Sequence, residues 1–163
     1  MAEKILSVQN ATADNLADYG EFIDLAGKEP AFDSEVFSFW NDLAVGDTGP
    51  AVSFGMVNTK PGEMVASMLE RHVQTTETLV ALDADIVLVL SKPTLGSRPD
   101  LGSAAAFRVP QGSGVTLKRG TWHFVPLIPD NRAARTLVVF RQGTPAEDLE
   151  VYQLEKEGNL RVQ

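Results

Sequence analysis

The segment Gly112-Ser113-Gly114-Val115-Thr116-Leu117-Lys118-Arg119-Gly120-Thr121-Trp122-His123 reads as turn, strand, turn and strand within twelve residues. Residues 111–114 reverse the chain, residues 115–118 are short and extended, and Gly120 bends the chain again. His123 then opens a strand that runs to Ile128. Short strands separated by Gly-rich bends are the rhythm of an all-β protein.

The same rhythm extends outward. Upstream, residues 51–58, 63–72, 76–82 and 86–90 read as strands, divided by the turns Lys60-Pro61-Gly62 and Asp83-Ala84-Asp85. In the strand over 63–72, Met64, Ala66, Met68, Glu70 and His72 share one face. A Pro/Gly-rich loop over 92–101 leads to a strand over 105–110. Residues 136–140 form another strand beyond Pro129-Asp130-Asn131, and 149–154 is a last strand or a helical turn. Before residue 51, a short helix over 11–19 is capped by Thr12 or Asp14 and stopped by Gly20. An edge strand over 21–25 and an aromatic strand over 36–40 follow. Turn signals recurring about every 8–12 residues indicate a sandwich or barrel. With no repeat and no linker, residues 1–163 are expected to form a single domain.

Composition narrows the function. Hydrophobic residues are 44% and charged residues 22% of the 163, the balance of a soluble globular chain. The net charge is −8, with no basic stripe to meet phosphates, so nucleic acid is not an expected partner. No apolar run approaches membrane-spanning length and no secretory leader is visible, so no membrane partner is expected. Cysteine is absent, which removes disulfides and thiolate ligands together. A cytoplasmic location is the expectation.

Two stretches hold the residues with chemistry. The first carries Glu70, His72 and Glu77, and the second ends on His123; the chain has only these two histidines. Residues two apart on a strand face the same way, so Glu70 and His72 project together. Glu77 follows across a tight turn, and Gly120 permits the bend that delivers His123. Two carboxylates and two imidazoles suit one divalent metal ion such as Mn²⁺, Fe²⁺, Ni²⁺ or Zn²⁺.

These stretches resemble the two signatures of the cupin superfamily, Gly-x5-His-x-His-x3/4-Glu and Gly-x5-Pro-x-Gly-x2-His. Here they become Glu70-x-His72-x4-Glu77 and Gly112-x5-Lys118-x-Gly120-x2-His123, with Glu for the first histidine and Lys for the proline. The resemblance implies a cupin-type double-stranded β-helix, a jelly-roll barrel, behind the short N-terminal helix. More closely, the chain resembles the ureidoglycolate lyase family of the purine degradation route. The segments that carry this are Tyr19-Gly20-Glu21-Phe22-Ile23, Leu69-Glu70-Arg71-His72, Gly112-Ser113-Gly114-Val115, Gly120-Thr121-Trp122-His123 and Pro126-Leu127. Two departures stand out: Glu77 where the family usually has Gln, and Phe124 where its pattern has a second histidine.

The resemblance implies a homodimer that releases urea from ureidoglycolate, a small anionic substrate, and leaves glyoxylate. His72 and Glu77 are then acid–base candidates or ligands, and His123 a ligand or base; histidine titrates in the useful range. Arg71, Lys118 and Arg119 are candidates for holding the substrate carboxylate. Against this, Arg71 points away from His72 in a regular strand, and Lys118 and Arg119 suit a solvated turn equally well. Trp122 is expected in the core, and Phe54, Met64 and Met68 are expected to line the barrel. Two further readings remain open: another metal-dependent cupin enzyme, isomerase or dioxygenase, using Glu70, His72, Glu77 and His123, and a ligand-binding cupin without catalysis.

Overall fold

The strand Ile86–Ser91 is apolar up to its last residue, and all six residues are buried. Such a strand needs cover on both faces. In the computed structural model, which describes residues 3–163, it lies inside a sheet with a core on each side. Ile86, Leu88 and Leu90 enter one core, while Val87 and Val89 enter the other.

The strands before the barrel are β1 (Lys4–Leu6), β2 (Val8–Asn10), β3 (Gly20–Ile23), β4 (Phe32–Asp33) and β5 (Ser38–Phe39). The barrel follows as β6 (Val52–Thr59), β7 (Val65–Ala66), β8 (Met68–Arg71), β9 (Glu77–Ala81), β10 (Ile86–Ser91), β11 (Ala105–Val109), β12 (Gly114–Leu117), β13 (Trp122–His123) and β14 (Ala134–Arg141). Strands β15 (Glu150–Gln153) and β16 (Leu160–Val162) finish the chain. Among the described residues two single-turn α-helices interrupt it, α1 (Ala13–Leu16) and α2 (Thr144–Glu147), with a 3-10 turn at Leu101–Ser103.

One sheet has the order β15-β8-β13-β10-β11-β2 and the facing sheet the order β3-β12-β9-β14-β6. From β6 to β14 the chain changes sheet at nearly every connection. That eight-stranded weave, β8-β13-β10-β11 against β12-β9-β14-β6, is the jelly roll of the cupin-type double-stranded β-helix. The fold is all-β, as the turn rhythm implied.

Between the sheets lies the first core, built on Leu79, Leu88, Leu90, Phe107, Val115 and Leu117, with α1 and β3 closing one side through Leu16, Tyr19 and Phe22. The second core covers the other face of the six-stranded sheet, where Leu69, Val87, Val89 and Trp122 meet Leu154 and Leu160 from the C-terminal strands. Trp122 is thus a core residue, as expected. No helix among the described residues is long and apolar enough to cross a membrane.

Several boundaries move. The helix expected over 11–19 is realised only as Ala13–Leu16, started by a capping box in which Thr12 and Asn15 exchange hydrogen bonds of 2.8 and 3.1 Å. The strand expected over 63–72 is broken at Ser67 into β7 and β8, and the aromatic strand over 36–40 shrinks to β5, paired with β4. The segment over 149–154 resolves into a strand, β15, along the edge of β8.

The expected barrel lining is corrected. Phe54 is 70% exposed on the outer face of β6 and Met64 packs against the second core, while half-buried Met68 keeps the parity of Glu70 on β8. Strand β6 turns its small residues inward instead: Gly55 and Val57 sit opposite Val138 and Thr136, and this leaves room inside the barrel. Truncating Leu88→Ala in the first core is expected to lower unfolding free energy by about 2–5 kcal/mol. Val36→Ala, at a site 90% exposed, should stay within about 0.5 kcal/mol in the same urea titration.

Candidate active site

Strand β8 divides its side chains between two environments. Leu69 and Arg71 turn to the second core, while Glu70 turns into the barrel and His72, just past the end of the strand, shares its parity. Strand β13 lies beside β8 with His123 opposite Glu70. Glu77 arrives from the facing sheet as the first residue of β9. The four candidates therefore meet across the barrel, three from one wall and one from the other.

The two motifs are also tied through their backbones. Gly120 has φ +79°, a conformation that resists a side chain, and its N–H donates to the carbonyl of His72 at 2.6 Å. The bend expected at this glycine is what places the second histidine against the first.

The distances are short. His123 Nε2 lies 2.9 Å from Glu77 Oε2 and 3.6 Å from Glu70 Oε1, and His72 Nε2 lies 3.7 Å from Glu77 Oε2. The imidazole centroids are 5.3 Å apart, and Phe140 meets the His72 ring edge-on at 5.8 Å. Both rings are oriented from behind by backbone carbonyls. Nδ1 of His72 donates to the carbonyl of Asp148 at 2.6 Å, and Nδ1 of His123 to that of Thr121 at 3.1 Å. A ring that donates from Nδ1 presents its Nε2 lone pair to the pocket.

Charge is concentrated here. Burial of the His123 ring favours its neutral form, but the negative charge of Glu77 and the carboxylates of both Glu70 and Glu77 prevail and push it up to about 10. The Glu70 carboxyl is held below its ordinary value by the imidazole of His123 beside it, against the effect of burial, with the charge of His72 adding to the shift. Even so, Glu77 Oε2 and His123 Nε2 are buried without an aligned hydrogen-bond partner.

That orphaned pair bears on a metal. Glu70, His72 and His123 offer ligand atoms all within 4.8 Å of one another, and both imidazoles turn Nε2 inward. Nitrogen and oxygen donors of this kind suit Mn²⁺, Fe²⁺, Ni²⁺ or Zn²⁺. The residues fit a divalent ion, with Glu77 against both histidines beside that trio.

The cavity beside them measures about 260 Å³ and reaches past Glu70, His72 and Glu77 to an apolar wall of Val57, Val138, Phe140 and Leu149. No Lys or Arg lines it among the described residues. Arg71 is buried on the opposite face of β8, paired with Glu150 at 2.6 Å and stacked 4.4 Å over Trp122. Lys118 donates to the carbonyl of Ala17 and Arg119 pairs with Asp47, both on the surface. None of these three reaches the pocket: strand parity turns Arg71 away, and the turn before Gly120 carries the other two outward. Reading the sequence also missed Asp148, Phe140 and Leu149; only the Gly143-Thr144-Pro145 helix start signalled that the chain turns back there.

The family model for ureidoglycolate lyase matches residues 3–161. A ureidoglycolate lyase of Pseudomonas syringae pv. tomato is 26% identical over 147 residues, covering 86% of this chain and 85% of that protein. Among solved structures, two of Bacillus subtilis oxalate decarboxylase align over 72% of this chain and 28% of theirs, at 15% and 16% identity and TM-score 0.44. With a family match running almost from end to end, the chain belongs to the ureidoglycolate lyase family.

Proposed function

We propose that this protein cleaves a small 2-hydroxy acid hemiaminal, ureidoglycolate or a close analogue, to glyoxylate and urea, a step of purine degradation by way of allantoin. The observation that carries the reading is Glu77 Oε2 buried between two imidazoles, 2.9 Å from His123 and 3.7 Å from His72, at the wall of a cavity sized for a small acid. Breaking a hemiaminal moves two protons. Glu77 takes the hydroxyl proton as the carbonyl forms and the carbon–nitrogen bond breaks. The departing urea nitrogen is protonated from Glu77.

Glu70, His72 and His123 are the residues that would hold a divalent ion. When bound, such an ion supplies Lewis acidity at the hydroxyl and carboxylate oxygens. With both histidines engaged, Glu77 is the group left to move the proton. The same carboxylate favours a second reading, a metal-dependent isomerase or dioxygenase on another small carboxylate, because it stands where the family usually has Gln.

A homodimer is part of the proposal. The outer face of the five-stranded sheet sets Phe54 beside Val139 and Met56 beside Leu137, with Phe54 and Met56 more than half exposed. An apolar face around a sheet edge suits the self-complementary contact of a two-fold pair.

Urea and glyoxylate release from ureidoglycolate tests the reaction. We expect activity in the wild type and losses of at least about 100-fold in His72→Ala, His123→Ala and Glu77→Gln with folding retained. Chelation should abolish activity, with Mn²⁺, Fe²⁺, Ni²⁺ or Zn²⁺ restoring it. A wild type inactive with all four ions would transfer support to the second reading.

Because the folded His123 value lies above its ordinary 6.5, its charge stabilises the metal-free protein fully below that pH and ceases to as pH climbs through about 10. Thermal melts should show the advantage of wild type over His123→Gln shrinking across that window; an advantage that grows with pH would contradict the assignment. Light scattering should give a dimer mass that Phe54→Asp reduces to a monomer. A monomeric wild type removes the dimer.

A further inference from the structure

We propose that Asp148 is the positioning residue for His72, a latch that sets both the direction of its ring and its tautomer. This rests on the reading that His72 Nε2 acts in the pocket. The ladder of β8 ends at Arg71, so beyond the hydrogen bond from Gly120 to its carbonyl the histidine has no sheet pairing, and nothing in the ladder orients its ring. Asp148, 76 residues further along the chain, holds it instead.

Three consecutive residues converge on this one aspartate. The N–H of Val73 donates to Oδ1 at 2.9 Å and that of Gln74 to Oδ2 at 2.8 Å. The backbone carbonyl of Asp148 accepts Nδ1–H of His72 at 2.6 Å. Its side chain is 4% exposed, so these contacts are shielded from competing water.

The latch is itself braced. The N–H of Asp148 closes α2 on the carbonyl of Thr144 at 2.9 Å, and buried Thr144 donates from Oγ1 to the carbonyl of Arg141 at 2.7 Å. Arg141 N–H in turn reaches Oγ1 of Thr75 at 3.1 Å, within the same loop that Asp148 grips. The carbonyl that meets His72 is therefore placed by the carboxylate of its own residue. Removing the carboxylate frees the carbonyl, and a neutral imidazole without its Nδ1 acceptor loses its reason to keep Nε2 bare. Leu149 and Pro145, on either side of Asp148, lose their place on the cavity wall together with it.

The test uses the histidine ¹⁵N spectrum, to which the sequence contributes two residues; His123→Gln assigns them, and the His72 ring reports its tautomer. Wild type should show His72 as a single tautomer protonated at Nδ1. Asp148→Ala should turn it into a mixture, Asp148→Asn should do so in part because one acceptor oxygen survives, and turnover should fall by about 10–100-fold. Glu147→Ala, which removes only the neighbouring ion pair with Arg141, should change neither. Should Asp148→Ala not fold, the Asn variant decides. A folded variant with His72 unchanged, or a wild type protonated at Nε2, overturns the proposal. A tautomer shift in a protein that does not turn over ureidoglycolate upholds the latch and overturns the reaction instead.

Discussion

The contact between His123 and Glu77 links the two walls of the barrel at the point where a charge is hardest to bury. Both groups are shielded from solvent, and their facing atoms, Glu77 Oε2 and His123 Nε2, lie 2.9 Å apart with no aligned hydrogen bond to offset the water they gave up. A buried pair in this state gains little stability by itself, because removing two ions from water opposes their attraction. The rest of the site can be seen as what makes the placement tolerable. Glu70 adds a second carboxylate to His123, carbonyls behind both rings accept the Nδ1 protons, and Gly120 ties one motif to the other.

The scaffold around that contact is asymmetric in a way that matters. The six-stranded sheet is covered on both faces, so β8 and β13 are packed from both sides where they bring in Glu70, His72 and His123. Among the described residues the five-stranded sheet has a core on its inner face alone. Its inner surface is thinned by Gly55 and Val57 to leave a cavity, while its outer surface carries Phe54 and Met56. Volume for a ligand and an apolar outer face thus come from the same strand: small residues inside, large ones outside.

Much of this was legible in the sequence, for identifiable reasons. Turn residues at short intervals made the protein all-β, since glycine and proline impose local geometry whatever the tertiary context. Parity on β8 brought Glu70 and His72 together and set Arg71 apart from them. Gly120 marked a bend that its positive φ bears out. The phase of β6 was not legible. Its alternation is plain, but the rule that larger apolar residues face inward fails where a barrel has to stay hollow, and Phe54 was assigned to the wrong face. Lys118 and Arg119 flank a histidine in the chain, and yet the turn that delivers His123 inward carries them to the surface.

The sequence by itself determined the elements, the pairing of Glu70 with His72, and membership in the ureidoglycolate lyase family, because strand parity, turn chemistry and motif spacing are local properties. Only the tertiary structure decided that Glu77 faces His123 from the opposite sheet, that no Lys or Arg of the described chain lines the cavity, and that Asp148 stands behind His72. Each of these depends on which distant segments are brought into register, and the free energy that selects a register is spread over two cores rather than written in any one stretch.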